Sequence, residues 1–405
     1  MSYRFTDAID SKSYDEFVKN QPRTNLLQSA AWSKIKSNWG HKLVALKDDR
    51  EQIVAAALIL LKPLKFGWSV WYIPRGPIMD YEQPDLVEEF FKNLLNLAKE
   101  SKCAFLKIDP PVYAHAAPYK DFVDQVDPDA LKVRDRLVNL GFYHQGFTKK
   151  MHDTIQPRFA AITFNQGQKM EERASKRVKT SIRTCKKRMV DIYRGGEADL
   201  DDFCYLIGKT EAAKDVKLRD KSYFKKLLDS YGPDCYIYIA AIDLTDAIAK
   251  HEQMTADVHA KIADLPESAP RKLRQYEEQL SSYSKILESF REMQAKEGDR
   301  ALLAATLSIL YGRSFEILYA GFNRDFSFIP SQDPLYIRSM DEAFAAGADY
   351  VSMGGVEGNL EDGLMAYKKH YDPQVVAFLG EFDYPVNKLL YKAYRFALKI
   401  LKRRA

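Results

Sequence analysis

The chain is short of the features that mark many common protein classes. Its longest apolar run, residues 53–61, is too brief to span a bilayer. Residues 1–17 hold no apolar signal core, so the expectation is a cytoplasmic protein whose membrane contact, if any, is peripheral. The four cysteines, Cys103, Cys185, Cys204 and Cys235, form no Cys-x-x-Cys pair and have no histidine at metal-ligand spacing. That argues against a disulfide scaffold and a zinc knuckle and fits a reducing compartment. The seven histidines do not cluster. A Gly-x-Ser-x-Gly elbow, a Walker loop and a dinucleotide fingerprint are all missing, as is an Arg-x-x-Gly-x-Gly/Ala pyrophosphate loop. No nucleophile has a local base, so catalysis would have to rest on positioning two bound substrates.

What is present describes a folded chain of more than one domain. At 405 residues, two domains and an additional element are expected. Hydrophobic residues make up 46% and aromatics 12%, with 24 Tyr and 22 Phe, and tyrosine-rich chains often line clefts for polar organic ligands. The net charge of +5 is unevenly spread. Arg173, Lys176, Arg177, Lys179, Arg183, Lys186, Lys187 and Arg188 follow one another without an acid, and the chain ends on Lys399, Lys402, Arg403 and Arg404. Such clusters attract nucleic-acid or lipid phosphates, and they are also what a solvated helix face looks like.

Periodicity predicts an α/β protein. Strands are expected over 42–47, 52–61, 69–73 and 103–108, with a helix over 86–100 between the last two. A basic helix over 170–188 opens a second series. A strand over 191–193, helices over 200–211 and 221–230, strands over 235–242, 301–311 and 314–320, a helix over 335–346 and a strand over 350–353 complete it. The comparable orders suggest a duplicated fold. The second series is interrupted. Ile248, His251, Thr255, Val258, Ile262 and Leu265 repeat at threes and fours, residues 266–270 break the pattern, and Leu273, Tyr276, Leu280, Tyr283, Leu287 and Phe290 resume it. This predicts an antiparallel two-helix coiled-coil hairpin with arms about 30 Å long. His251 and Thr255 weaken its first turns.

Several polar residues stand where chemistry is possible. Asp109 ends a buried strand before two prolines, the place of a general base or of an ordinary turn. Arg219 and Tyr223 are four apart where a loop enters a helix, and Arg is the preferred fork for phosphate oxygens. Tyr367-Lys368 follows the glycine-rich stretch 353–358, and Lys368 is a candidate for neutralising charge at an acyl centre.

Taken in order, Gln28-Ser29-x-x-Trp32, Tyr72-Ile73-Pro74-Arg75-Gly76-Pro77, Leu106-Lys107-Ile108-Asp109-Pro110, Thr210-Glu211 with Arg219 and Tyr223, Leu318-Tyr319-Ala320-Gly321 and Tyr367-Lys368-Lys369 resemble the FemABX family. These are non-ribosomal peptidyltransferases that add amino acids to the peptidoglycan stem. The likeness is greatest to the MurM-type branch, which adds serine or alanine. The resemblance implies two acetyltransferase-like (GNAT-type) domains, the first over 1–150 with 378–405 returning to it, the second over 151–245 and 301–377, and a hairpin arm over 246–300. It implies that Lys36 and Arg219 bind precursor phosphates, that Tyr223 shapes that site and that Asp109 faces the stem peptide or its amine. Tyr319 would line the second cleft, and Lys368, beside Tyr367, would stabilise charge at the reacting ester. Two positions depart from the family pattern: Ile317 replaces an aromatic and Tyr367 replaces Phe. The donor would be an aminoacyl-tRNA, the acceptor lipid II or UDP-MurNAc-pentapeptide, with no metal or ATP in the step. The basic residues 173–188 and the hairpin are then expected tRNA contacts, and the basic tail a contact for an anionic membrane. An acetyl-CoA-dependent N-acetyltransferase and a non-catalytic tRNA- or membrane-binding protein are the alternatives.

Overall fold

A computed structural model describes residues 2–404, with side chains through residue 398. Two mixed sheets, each with helices, carry the architecture. In the first, Arg4–Thr6, Gly40–Lys47, Ile53–Pro63 and Ser69–Ile73 run antiparallel in sequence order. Ser69–Ile73 then pairs in parallel with Cys103–Ile108. The second sheet repeats this plan: Asp191–Gly195, Cys235–Asp243, Arg300–Tyr311 and Ser314–Phe322 are antiparallel, and Ser314–Phe322 pairs in parallel with Tyr350–Val356. A parallel pair needs a crossover. The helices Pro84–Glu100 and Gln332–Ala345 supply it in the two halves. The first starts on Pro84, which lacks the N–H that a helix start leaves unpaired, and buries Leu86, Val87, Phe90, Phe91, Leu94, Leu95 and Ala98 on one face.

Two strands cross between the halves. Phe382–Tyr384 enters the first sheet beside Cys103–Ile108. Tyr113–Pro118, from the first 150 residues, forms the edge of the second sheet beside Gln374–Phe378. The sheets also share a core. Leu58 and Leu60 of the first and Ile237, Leu307 and Ile309 of the second are buried in one cluster, which fixes the halves against each other.

The hairpin grows from a turn. In the first sheet, residues 48–52 join Gly40–Lys47 to Ile53–Pro63, with the Asp48 N–H donating to the Gln52 carbonyl at 3.0 Å. In the second, the helices Leu244–Ala263 and Pro270–Glu297 occupy that connection, and the Leu244 N–H donates to the Asp299 carbonyl at 2.8 Å. The expected seam is dry as far as Val258 and Tyr283 and opens beyond them. Tyr283, Ile286, Leu287, Phe290 and Met293 are buried, whereas Leu273 is exposed and Tyr276 and Leu280 are half-buried. His251, expected to weaken the seam, is fully buried between the rings of Tyr283 and Phe290, and its Nδ1 lies 2.9 Å from the Ala247 carbonyl oxygen. The basic helix is also not continuous. It breaks at Ala174 and Ser175 into Met170–Arg173 and Lys176–Lys187. Among the described residues, no helix is long and apolar enough to cross a membrane.

Candidate active site

The first group of site residues gathers around a short helix. Ser29 receives the Trp32 N–H on its Oγ at 3.2 Å and lies 2.7 Å from the Tyr231 hydroxyl, which ties the helix Trp32–Ile35 to the second half. Gln28 braces the same corner. Its amide nitrogen donates to the Pro74 carbonyl at 2.7 Å, and its amide oxygen accepts the Leu58 N–H at 2.9 Å. Lys36 follows this helix, half-buried. Burial lowers its pKa, and the facing Arg219 charge lowers it further. Two cations that feel each other's charge favour an anion between them. Arg219 lies 5.2 Å above the Tyr223 ring, and Tyr223 meets Tyr319 edge-on at 6.1 Å. Lys36, Arg219, Tyr223 and Tyr319 therefore form one cluster. The pairing between Arg300–Tyr311 and Ser314–Phe322 skips a residue after Leu307, where Leu318 sits. This bulge turns Tyr319 toward Tyr223 rather than to the side where Ile317 packs.

The same strand leads to a second group. Glu316 is three residues before Tyr319, roughly 10 Å along the strand. It is opposite Ser352, the last register pair before the parallel strands part. The gap is a cavity of about 210 Å³ bordered by Arg23, Asn25, Arg75, Glu316, Ser352 and Gly355. Glu316 is half-buried, with its free side on the cavity, and accepts from the Asn25 amide at 3.2 Å. Burial pushes its carboxyl up to about 7, against the Ser352 hydroxyl and Arg75. Gly354 takes a φ of +80°, and a Cβ on Gly355 would lie 2.5 Å from Pro157, so this wall excludes larger residues.

Lys368 ends the helix Gly363–Lys368, and its Nζ donates to the Gly355 carbonyl at 2.8 Å behind that wall. Burial lowers its pKa to about 8, with Asp362 opposing and Lys214 assisting. Tyr367 turns into an aromatic group instead. Its hydroxyl lies 2.5 Å from that of Tyr371, which donates to Asp333 at 2.6 Å. Arg177 of the basic helix binds the same Asp333 at 3.0 Å and lies 5.7 Å from the Tyr367 ring.

Asp109 differs from its expected role. It follows Ile108, the last residue of Cys103–Ile108 paired in parallel with Ser69–Ile73, and it is only 2% exposed. The Arg75 N–H donates to it at 2.6 Å, and the Arg75 guanidinium is 3.9 Å away. Burial raises its carboxyl to about 7, with Arg75 pulling the other way. Asp109 is thus covered by Arg75, and it is Arg75 that borders the cavity, stacked 3.7 Å from the Phe378 ring. A carboxylate so enclosed positions an arginine; it does not meet an incoming amine directly.

The FemAB family matches residues 9–399. The chain belongs to the FemAB family. It is 24% identical over 424 residues to the aminoacyltransferase FemA of Staphylococcus aureus, covering 99% of each chain. It is 25% identical over 405 residues to the lipid II:glycine glycyltransferase of Staphylococcus saprophyticus, covering 95% of this chain and 94% of that one. The crystal structure of FemX superposes with a TM-score of 0.82 at 25% identity, over 97% of this chain and 99% of FemX. The expected α/β fold of two acetyltransferase-like domains holds, and so does the enzyme class: this FemAB protein is an aminoacyltransferase.

Among the remaining residues of this FemAB chain, the cysteines are unsuited to nucleophilic work. All four are free thiols, and burial pushes Cys103, Cys185 and Cys235 up to about 12. The basic series divides. Lys176, Arg177, Arg183, Lys186 and Lys187 are exposed, with Lys179 and Arg188 half-buried. Lys187 and Arg188 reach Ser282 and Ser289 of the hairpin at 2.6 and 3.1 Å, so helix and hairpin make a continuous surface. Arg173 is withdrawn from it. Its side chain is 4% exposed and bound to Asp372 and the Phe164 carbonyl. Two residues escaped the sequence reading. Glu316 had a signal, a lone acid in the apolar run 315–320; Arg75 had another, a cation enclosed by Pro74 and Pro77 after a buried strand.

Proposed function

We propose that the protein moves a small amino acid (serine, alanine or glycine) from aminoacyl-tRNA to the stem-peptide lysine amine of a peptidoglycan precursor, building the interpeptide bridge. The observation that carries this is the single strand Ser314–Phe322, which links a cationic, tyrosine-backed cluster to a small cavity with a buried lysine behind it. The activity named for the glycyltransferase relative supports the acceptor and the size of the donated group.

In this reading, Lys36 and Arg219 hold the precursor diphosphate, with Tyr223 and Tyr319 fixing the guanidinium. Holding both substrates replaces a bimolecular encounter by a positioned attack. The lysine nitrogen attacks the ester carbonyl carbon. The C–N bond forms, and Lys368 stabilises the oxyanion. The C–O bond to the tRNA ribose then breaks. The amine loses a proton and the ribose oxygen gains one. Glu316, the one acid among the described residues that border the cavity, is the acceptor of the amine proton. Asp109 holds Arg75 in place. Lys176, Arg183, Lys186 and Lys187 contact the tRNA backbone, and Arg177 connects that surface to Tyr367 beside Lys368. The donor carries its own activation, so the step uses no metal or ATP.

The test is transfer of labelled amino acid from several charged tRNAs to lipid II and to the soluble UDP-linked precursor, side by side. Transfer to at least one acceptor is expected; none to either would overturn the proposal. Micromolar binding of coenzyme A would favour an N-acetyltransferase instead.

A further inference from the structure

Away from the cavity, two exposed apolar elements lie together. The first is the tip between Ile53–Pro63 and Ser69–Ile73. Phe66 there is 90% exposed, and its φ of 59° is a left-handed conformation that a bulky residue rarely takes. The second is the C-terminal helix Lys388–Arg404. Its inner face, Leu390, Tyr391 and Tyr394, packs with Phe105 and with Trp68 of the tip, which joins the two elements. Its outer face is also apolar. Leu389 is 79% and Phe396 68% exposed, and Ala393 lies between them. A helix with one face on the core and large apolar residues on the opposite face has an unused surface. Lys62 and Lys65 flank Phe66, Lys388 and Lys392 flank Leu389, and residues 62–68 and 388–398 contain no acid.

This surface is next to the cationic cluster. Lys62 Nζ lies 5.8 Å from the Trp39 ring, and the Trp39 N–H donates to the Lys36 carbonyl at 2.8 Å. We infer that the tip carrying Phe66 and the outer face of the C-terminal helix dock on a bilayer bearing anionic headgroups. Apolar side chains ringed by lysines suit such an interface, the rings and methyls entering the acyl boundary and the ammonium groups meeting phosphates. The inference rests on the phosphate role of Lys36 for its consequence: the lipid of a lipid-linked diphosphate held by Lys36 and Arg219 leaves the protein beside Phe66. The lipid-linked precursor is therefore the acceptor this geometry favours.

Flotation of the full chain with phosphatidylglycerol-containing and with pure phosphatidylcholine vesicles tests the surface without requiring turnover. The wild type should partition onto the anionic vesicles, less so in high salt. A Phe66→Ser, Leu389→Ser, Phe396→Ser variant should bind at least about tenfold more weakly, given the burial energy of such side chains. Its melting temperature and its transfer to the soluble precursor should be unchanged, with transfer to vesicle-embedded acceptor reduced. Should that variant fold poorly, Lys62→Glu with Lys65→Glu reads the same face by charge. Failure of the wild type to bind, or equal binding by the variants, would overturn the inference. So would a wild-type dimer that the triple variant dissolves, since the face would then belong to a second copy. Absence of transfer to both acceptors would instead remove the proposed reaction and leave the vesicle result standing.

Discussion

Glu316 and Lys368 titrate close to neutrality from opposite sides. Glu316 must be ionised to accept a proton, and its carboxyl is raised to about 7; Lys368 must be charged to meet an oxyanion, and its ammonium is lowered to about 8. The rate of transfer should therefore rise as pH passes about 7 and fall as it passes about 8, a narrow bell. Arg75, Arg23, Tyr113 and Tyr350 border the cavity with Glu316, and Lys368 lies behind its wall, but only these two limbs should move with the named variants. Glu316→Gln should remove the acid limb, and Lys368→Met should lower kcat by about 10²–10³. The same carboxyl makes a stability prediction. A group raised on folding contributes stability that is complete at low pH and lost as pH rises through the folded value. Glu316→Gln should thus melt progressively higher relative to wild type between about pH 5 and about pH 8; a constant difference would place the carboxyl outside an enclosed cavity. At this scale the sequence was partly legible. Lys36, Arg219, Tyr223 and Tyr319 were found through the order of motifs, and they meet in space. The enclosure of Asp109 by Arg75 was not readable, because it depends on where Pro74-Arg75-Gly76-Pro77 folds back over the strand end.

The basic helix and the hairpin make predictions at the scale of elements. Replacing Arg183, Lys186 and Lys187 with Ala should weaken binding of charged tRNA. It should also flatten the salt dependence by about 0.7–0.9 log units for each phosphate no longer neutralised. Precursor binding should not change, which filter binding at several salt concentrations would show. In the hairpin, Phe290→Ala should cost about 3–5 kcal/mol in denaturant unfolding, because the ring is fully buried. The exposed Leu273→Ala should stay within about 0.5 kcal/mol. Equal costs would mean that the seam is packed along its whole length. Periodicity found both helices of the hairpin, since threes and fours register in any amphipathic helix. It did not reveal that the seam opens beyond Val258 and Tyr283, nor that Ile286, Phe290 and Met293 join the core of the second sheet. The break at Ala174 and Ser175 was likewise hidden, because the basic residues run on across it from Arg173 to Lys176.

For the molecule as a whole, duplication was legible as a repeated order of strands and helices, and the sheets repeat that order down to the parallel step. The exchange of Tyr113–Pro118 into the second sheet was not. Pairing of Tyr113–Pro118 with Gln374–Phe378 joins segments more than 250 residues apart, and nothing local marks a strand as belonging to a distant sheet. The exchange and the shared core hold the two halves in one arrangement, so that one strand spans from the cationic cluster to the cavity. The central claim is that these two ends serve one transfer reaction. Its most direct test is the kinetics of transfer from charged tRNA to the lysine-containing precursor by wild type, Lys36→Met and Lys368→Met. Lys36→Met should raise KM for the precursor by about tenfold or more with little change in kcat, and Lys368→Met should do the reverse. Loss of kcat alone in both variants, or no change in either, would contradict the account.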